Sequence, residues 1–397
     1  MSVENNVSTS TGSATSGEYT MNKRWGAIAM IISATGMGLV GFFSRFATAP
    51  ISEMLGAGSP VKAAIGSFLA LGRMSVGLIG FIILLIVMKK VGLFKKTKLS
   101  PAIVLGGICI GLSLAFYVSS TLMTTIANAV FFIYTGPLYC TILARIFRKE
   151  KIDAFQGVCL LIVFIGMLFT SGIVNLTGTV PTDTGVMRYG AFGGVSFGLQ
   201  LTGDPAFPLK GMGDLFGILS GVFYGLSLFF NGYRKDVDSI VRGVWNFVFA
   251  ACGAAFMCLM VCIGAFKMLG IDVDAASFGM GISLLDWPWA FALFIFSGLV
   301  ALGFLVIAGR NLPAVEYSTI SYWECVVAVF VSFMVFGELA IMTAQGLDWT
   351  GVTSLLGGFL IVVAGFAPIF APMLGKKKKD ATLEGKISGE LSESDKA

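Results

Sequence analysis

Long apolar segments, separated by short polar loops, run through most of the chain. Ten of them are long enough to cross about 30 Å of hydrocarbon as helices, and they lie near residues 25–43, 63–88, 102–123, 125–147, 154–174, 214–230, 243–266, 287–309, 312–336 and 349–371. Apolar and polar positions do not alternate within them as they do in barrel strands, and an unpaired backbone is costly in lipid. The pattern therefore predicts an all-α integral membrane protein with ten transmembrane helices.

The apolar pattern occurs twice. Residues 31–46 (IISATGMGLVGFFSRF) recur 187 positions later as residues 218–233 (ILSGVFYGLSLFFNGY), with Gly38 in step with Gly225. Internal repeats in a hydrophobic chain are typical of proteins in which two similar halves enclose a site. Two five-helix repeats, a linker and two disordered tails are predicted, with these bounds: first tail 1–21, first repeat 22–174, linker 175–213, second repeat 214–372 and second tail 373–397.

Lysine and arginine are concentrated in alternate loops. Of the 27 in the chain, 21 fall in one set of loops and 5 in the other, and Arg73 lies within a span. The positive-inside rule places the richer set, and with it both termini, in the cytoplasm of a plasma-membrane protein. Because each repeat has an odd number of helices, the second repeat then enters the bilayer from the opposite side. The repeats are expected to be inverted about an axis in the membrane plane, as in alternating-access transporters.

Composition argues against several classes of function. The chain is 56% hydrophobic and 12% charged, so its net charge of +5 reflects membrane topology rather than nucleic-acid binding. Its seven cysteines fall in predicted spans without zinc-ligand spacing, and it has no histidine, so we expect no metal site, disulfide framework or cofactor. A membrane enzyme acting on lipid would need paired carboxylates, a histidine or a metal cluster at a membrane surface. We find none in the sequence and do not expect an enzyme.

Two ionisable residues lie near the middle of predicted spans. Arg73 is in the second span and Glu324 is in the ninth. A lone charge at that depth costs about 2.5–3.5 kcal/mol even on insertion scales, so each should face a partner or a hydrated cavity. They are each other's most obvious partners. Two interpretations stay open: a static pair that joins the two halves, and a role in binding substrate or coupling protons.

Further polar and aromatic side chains lie on predicted helices, and two interpretations of them stay open: they line a cavity, or they form hydrogen bonds between helices. They are Tyr117, Asn128, Tyr134, Tyr224, Tyr322 and Trp323. Glu316 is expected near the inner mouth of the ninth span, either beside Arg310 or as part of the transport site. Asp214 lies at the outer mouth of the sixth span, where a carboxylate at a helix N-terminus is stabilised by the helix dipole.

Three stretches of the sequence resemble the drug/metabolite transporter superfamily in its ten-span form, which is made of two EamA-type repeats. They are ALGRM, which contains Arg73; IANAVFFIYTGPLYCTILARIFRKEKI, with Pro137 within it and Glu150 near its end; and PAVEYSTISYWECVVAVFVSFMVFGEL, in which Cys325 stands where the family often has proline. The resemblance covers about residues 22–372. It implies a small-molecule carrier, most often an exporter of amino acids or other metabolites, with a cavity between the halves.

The predicted function is a secondary transporter, expected to be an exporter, that works by alternating access. Organic phosphates or nucleotide sugars would need several cationic groups in the cavity, and Arg73 is the one cation within the predicted spans. A neutral, zwitterionic or amphiphilic solute such as an amino acid is therefore favoured. If protons drive transport, Glu324 is the first candidate, since the chain has no histidine. An uncoupled uniporter or exchanger is the main alternative, followed by a channel or a non-transporting scaffold, and the oligomeric state is left open.

Overall fold

The computed structural model describes most of the apolar segments. The described residues are 23–55, 61–147, 149, 154–170, 174–176, 186–192, 195–200, 209–231, 237–265, 267, 282, 284–311, 320, 323–337, 342–343, 346–347, 349, 351–364 and 367. Both predicted tails, 1–21 and 373–397, lie outside them.

Helices make up nearly all of the described structure. They are α1 Lys23–Gly38, α2 Val40–Leu55, α3 Val61–Val87, α4 Val91–Lys96, α5 Pro101–Met123, α6 Ile126–Ile133, α7 Gly136–Phe147, α8 Ala154–Thr170, α9 Lys210–Asn231, α10 Ser239–Cys262, α11 Trp287–Ala292, α12 Ala301–Asn311, α13 Trp323–Met334 and α14 Gly351–Ala364. A π-helical segment, Leu293–Val300, joins α11 to α12.

The predicted fold class, an all-α membrane protein, is confirmed. Seven of the described helical stretches are long and apolar enough to cross a membrane. Three shorter apolar helices coincide with the fifth, ninth and tenth predicted spans: Gly157–Thr170, Trp323–Met334 and Gly351–Ala364. The count of ten transmembrane helices therefore stays a prediction. Large apolar side chains such as Ile83 and Ile86 are exposed on the outside of the bundle, as expected for helices that face lipid.

The fourth predicted span, 125–147, is not one continuous helix. It ends as α6 and restarts as α7, and the backbone nitrogen of Thr135 bonds to the Phe132 oxygen at 3.1 Å between the two. Pro137 has no backbone N–H to donate, so the helical ladder cannot continue through it. The result is a helix break in the middle of a membrane span.

The predicted linker contains strands that the sequence analysis did not predict. Three antiparallel strands, β1 Val174–Asn175, β2 Val186–Phe192 and β3 Val195–Gln200, form a small sheet in the order β1-β3-β2. A second ribbon follows α13 and pairs β4 Met342–Thr343 with β5 Gly346–Leu347. These short strands lie between the helices, and Val174 of β1 is buried.

Helices at equivalent places in the two predicted repeats pack in the same way. The third span, α5, lies along the sixth, α9. The π segment and α12 of the eighth span lie along the first, α1. Ser113 Oγ donates to the Ser220 oxygen across the first interface at 2.8 Å. Ser297 Oγ donates to the Gly36 oxygen across the second. The repeat in the sequence therefore has a counterpart in the helix packing.

The two glycines that the sequence repeat aligns make matching close approaches. A Cβ atom on Gly38 would lie 2.8 Å from the backbone oxygen of Glu324, and one on Gly225 would lie 2.6 Å from that of Gly136. Glu324 and Gly136 are 188 residues apart, against 187 for the two glycines. Small residues let helices approach this closely in lipid, and here they bring α13 onto α1 and α7 onto α9.

Candidate functional site

A cavity of about 330 Å³ lies inside the helix bundle. Its lining is mostly apolar, with a small set of polar side chains: Arg73, Tyr117, Tyr134, Tyr224, Ser227, Arg242, Asn246 and Glu324. The cavity extends from Arg73, in the middle of α3, to Arg242, in the first turn of α10. We call the end of the bundle that carries α4 and the start of α10 the α4 end, and the end at the α5–α6 turn the opposite end. The cavity therefore reaches towards the α4 end.

Arg73 enters the cavity from α3 and is fully buried. Its Nε and Nη2 donate to the Ser297 oxygen at 3.1 and 2.9 Å, and Nη2 also lies 2.6 Å from Met37 Sδ. Ser297 belongs to the π-helical segment, and such segments are frequent at functional sites. Within the described residues Nη1 has no hydrogen-bond partner. Arg73 is thus anchored through two of its nitrogens and keeps a third available for a ligand.

Glu324 faces the same cavity from the start of α13 and is 8% exposed. Tyr134, the residue that ends α6 at the helix break, donates its hydroxyl to Glu324 Oε2 at 2.6 Å. The break therefore positions the one described donor to this carboxylate. Hydrogen bonds to a charged acceptor contribute about 1.5–3 kcal/mol, so this bond links α6 of the first predicted repeat to α13 of the second.

Arg73 and Glu324 do not pair directly. In the described part of the chain the two side chains form no ion pair within 4.0 Å, although each senses the charge of the other. Each is satisfied by neutral groups instead: a backbone oxygen and a thioether for Arg73, and a phenol for Glu324. The cavity space between them can therefore receive a ligand with two charged ends.

Two further predicted residues line the cavity. Tyr117, on α5, is 1% exposed, and its hydroxyl has no hydrogen-bond partner among the described residues. Its hydroxyl is close enough to both Glu324 and Arg73 for their charges to act on it electrostatically. Tyr224, on α9, packs on Gly136, where any Cβ would collide with its ring. The cavity thus combines aromatic faces with a free phenol beside the guanidinium.

The other predicted site residues lie elsewhere. Trp323 is 44% exposed and donates its Nε1 to Thr35 Oγ1 at 3.1 Å. Asn128 is buried on α6 but does not line the cavity; its side chain faces Asp214, near the start of α9. Glu316 and Tyr322 fall outside the described residues.

Sequence reasoning missed two residues at the α4 end of the cavity. Arg242 and Asn246 were not among the predicted site residues, yet both line the cavity together with Ala250. Their spacing of four places them on one face of α10, and that periodicity was the signal in the sequence. The cavity therefore holds two guanidinium groups, and Arg73 is not its one cation as the sequence analysis expected.

An ion pair lies at the α4 end of the bundle. Lys90 Nζ lies 2.5 Å from Asp238 Oδ2, and Asp238 also caps α10 by accepting from the backbone nitrogen of Ile240 at 3.0 Å. Partial burial acts to raise the pKa of the Asp238 carboxyl, but the hydrogen bonds from Lys90 and the helix backbone outweigh it and hold that pKa below its ordinary value. The pair joins the end of α3 to the start of α10.

The opposite end of the bundle is packed with aromatic rings. Phe42 and Phe46 of α2 lie against Trp289 of α11, with ring centroids 6.0 and 4.9 Å apart, and Phe336 contacts both phenylalanines. The Arg45 guanidinium stands 5.0 Å from the centre of the Phe336 ring. The same arginine donates to two backbone oxygens at the end of α5, at 2.9 and 2.7 Å. These contacts close the bundle at the end away from the cavity mouth.

Comparison with known proteins gives one family. Residues 24–172 match the EamA-like transporter family, a stretch that covers less than half of the chain. A solved structure titled "Crystal structure of protein" aligns at 15% identity with a TM-score of 0.43, over 84% of this chain and 96% of that one, a level of similarity that carries no argument about function. A search of curated proteins finds no match. The family is one of membrane transporters, in agreement with the drug/metabolite transporter resemblance of the sequence. The chain is therefore a multi-pass membrane protein whose residues 24–172 match the EamA-like transporter family.

Proposed function

We propose that the protein is a secondary transporter that carries a small zwitterionic solute with an apolar body, such as an apolar amino acid, by alternating access. The observation that carries this proposal is the arrangement of Arg73 and Glu324, which face one mostly apolar cavity without pairing. The family match at residues 24–172 supports transport in general. The identity of the solute is argued from the cavity.

Two donors that line the cavity, from Arg73 and Tyr117, suit a carboxylate. Arg73 Nη1 and the Tyr117 hydroxyl are both buried and lack described partners. An unpaired buried donor costs about 1–3 kcal/mol. A ligand oxygen that accepts hydrogen bonds from both Arg73 Nη1 and the Tyr117 hydroxyl would remove that cost. A carboxylate has two oxygens and a matching charge.

Glu324, which lines the same cavity, suits an ammonium group. Glu324 accepts one hydrogen bond, from Tyr134, and a carboxylate has room for further donors. The remaining lining is apolar and includes Met74, Leu114 and Phe247. At about 330 Å³ the cavity is near the lower end of the usual range of about 300–1,000 Å³ for small-molecule sites. Those features together favour an amino acid with an apolar side chain.

The direction proposed is export. The cavity reaches the α4 end, where Lys90 and Arg242 lie, and the positive-inside rule predicts that such an end faces the cytoplasm. At the opposite end Arg45 and the aromatic rings close the bundle. Loading from the cytoplasm, followed by opening of the Arg45 end, would move solute outwards across the plasma membrane.

Proton coupling through Glu324 forms the second part of the proposal. A carboxylate that binds either the ammonium group of the solute or a proton can release one and bind the other each time the cavity opens to the opposite side of the membrane. Gradient-driven flux in proteoliposomes that contain the Glu324→Gln protein tests this step. Flux that still follows the pH gradient in that variant removes Glu324 from coupling, whereas counterflow without any gradient would favour an uncoupled exchanger.

Ligand binding tests the site itself. Purified full-length protein is heated with leucine or phenylalanine, and separately with the matching amines, which lack the carboxylate, and the matching acids, which lack the ammonium. A ligand at 100 times its Kd stabilises the folded protein by about 2.7 kcal/mol, so the amino acids should raise the melting temperature and both sets of analogues should do so far less.

Two variants locate the effect. Arg73→Gln should abolish the response to amino acids, while Trp323→Phe, outside the cavity, should keep it. An amine that stabilises the protein as well as its amino acid would contradict the role given to Arg73.

A further inference from the structure

A short basic segment joins α3 to α5 at the α4 end of the bundle. It comprises residues 87–99, which we call the α4 segment, and five lysines lie within ten of its residues: Lys89, Lys90, Lys95, Lys96 and Lys98. All of them except Lys90 are exposed. The sequence has no aspartate or glutamate between residues 53 and 150, so the segment carries no acidic residue of its own. The proposed transport function leaves this concentration of positive charge without a role.

Large apolar side chains are exposed along the same segment. Val87 is 69% exposed, Leu93 is 49% exposed and Leu99 is 46% exposed. The segment connects two helices that are long and apolar enough to span a membrane, so it lies where those helices leave the hydrocarbon. A segment that combines lysines with apolar side chains suits the membrane interface, with its apolar groups among the acyl chains and its amines at the depth of the lipid headgroups.

Two contacts hold the α4 segment against the start of α10. The ring of Phe94 stacks on that of Trp245, with the centroids 4.7 Å apart and the planes at 15°. Lys90 forms its ion pair with Asp238, the N-cap residue of α10. Lys96 follows Phe94 by two positions, which is about 200° around a helix, so α4 turns Phe94 towards the bundle and the exposed Lys96 away from it. The exposed lysines are therefore held at a defined place on the protein.

The charge and the position of the segment favour the anionic headgroups of phospholipids. The positive-inside rule predicts that the α4 end faces the cytoplasm, where the leaflet has a negative surface potential. A cluster of about four to eight basic residues beside a membrane-spanning helix is typical of segments that bind such headgroups. A nucleic acid or an acidic soluble protein would also match the charge, but it would leave Val87, Leu93 and Leu99 without apolar partners.

We infer that the α4 segment is a binding site for an anionic phospholipid. The exposed lysine amines donate charge-assisted hydrogen bonds to the phosphate oxygens of the headgroup. The acyl chains of the same lipid pack on the exposed apolar side chains of the segment. This site does not depend on which solute the cavity carries.

The lipid site adjoins a helix that lines the cavity. Trp245, on which Phe94 stacks, lies on α10 between Arg242 and Asn246, and both of those residues line the cavity. A lipid that holds the α4 segment in place therefore also restrains the first turns of α10. Because a ligand favours the conformation that it binds more tightly, the bound lipid should stabilise the arrangement in which Phe94 stacks on Trp245.

Lipid binding to the purified full-length protein in detergent tests the site without any transport measurement. Native mass spectrometry measures the bound lipid as phosphatidylglycerol is titrated, and phosphatidylcholine, which has no net charge, serves as the reference. Each lysine near an anionic surface strengthens binding about fivefold. Replacing Lys95 and Lys96 together with glutamine should therefore weaken the binding of phosphatidylglycerol about 20–30-fold, while replacing both with arginine should retain it.

A second double variant is the matched control. Arg24→Gln with Lys149→Gln also removes two exposed charges, from positions that the positive-inside rule assigns to the same side of the membrane. Both positions lie outside the α4 segment, so this variant should bind phosphatidylglycerol as the wild type does.

Three results would overturn the inference. One is an affinity for phosphatidylglycerol that is unchanged in the Lys95 and Lys96 glutamine variant, and another is a wild type that binds phosphatidylcholine equally well. The third is displacement of the lipid by inorganic phosphate or RNA at the same concentration of negative charge, which would identify a site for soluble anions. If the glutamine variant does not fold, wild-type protein is labelled with a phosphatidylglycerol that carries a photoreactive diazirine. Peptide mapping should then find the label on residues 87–99, and labelling confined to other peptides would contradict the site.

Discussion

Substituting alanine at the two glycines that the repeat aligns should destabilise the protein by similar amounts. A Cβ on Gly38 would lie 2.8 Å from a backbone oxygen, and one on Gly225 would lie 2.6 Å from another. Ordinary Cβ contacts begin near 3.4 Å, so the facing helix must move by about 0.6–0.8 Å, and overpacking of this kind costs about 1–3 kcal/mol. Alanine recovers about 0.5–1 kcal/mol of helix propensity. The net loss expected for either variant is about 0–2.5 kcal/mol relative to the wild type, and about 1–3 kcal/mol relative to an alanine that meets no close contact.

Gly157 and Gly303 are matched controls on α8 and α12. No heavy atom lies within 4 Å of a Cβ built on either. Alanine there should leave stability unchanged or raise it by about 0.5–1 kcal/mol, since only the helix propensity changes. A difference between the two pairs of variants therefore measures the close helix approach rather than the loss of glycine.

A dye that fluoresces on reacting with thiols measures the unfolding of these variants, because four described free cysteines are buried in the folded protein: Cys109, Cys159, Cys258 and Cys325. The melting temperatures of Gly38→Ala and Gly225→Ala should both fall below those of the controls. If both variants melt with the controls, the close approaches are wrong. If only one melts early, the two predicted repeats do not pack alike.

Three further outcomes are expected. Tyr134→Phe removes the hydroxyl bonded to Glu324 and should cost about 1.5–3 kcal/mol; an unchanged melting temperature would mean that the bond does not form. Thr125→Ala removes the side chain that caps α6 and should cost about 1 kcal/mol, while Thr125→Ser should restore stability. Asp238→Asn keeps the cap of α10 but loses the ion pair with Lys90. Because the folded pKa of Asp238 is depressed, the wild type should be the more stable of the two above about pH 4 and lose that advantage as the pH falls further; a difference that persists below this range would point to packing instead of charge.

The apolar segments were predictable because their length and composition are set by the thickness of the bilayer. Their ends were less so. The first span was expected to end at residue 43, whereas the membrane-spanning helix continues to Ala49. Arg45 looks like a loop charge in the sequence. In the structure Arg45 lies within the helical stretch. Its guanidinium donates hydrogen bonds to two backbone oxygens at the end of α5.

The candidate site was predictable in its charged residues and not in its geometry. Arg73 and Glu324 stand out because charge is rare within the predicted spans. Tyr134 could be noticed only as one of several aromatic residues, because its bond to Glu324 depends on the break between α6 and α7. Pro137 indicates that a break occurs, but it does not fix the direction of α7, which packs along α9 in the structure.

The separation of Arg73 and Glu324 bears on how a zwitterion could be carried at all. Had the two formed a buried ion pair, a ligand would have had to break it before binding, and breaking such a pair costs about 3–5 kcal/mol. Here Arg73 is held by the Ser297 oxygen and Glu324 by the Tyr134 hydroxyl. Both bonds can remain when a ligand adds a carboxylate at Nη1 and an ammonium at the glutamate. Binding then requires little rearrangement of the site. The free energy gained from the ligand's charged groups is available to shift the equilibrium between the conformation closed at one end of the bundle and the conformation closed at the other.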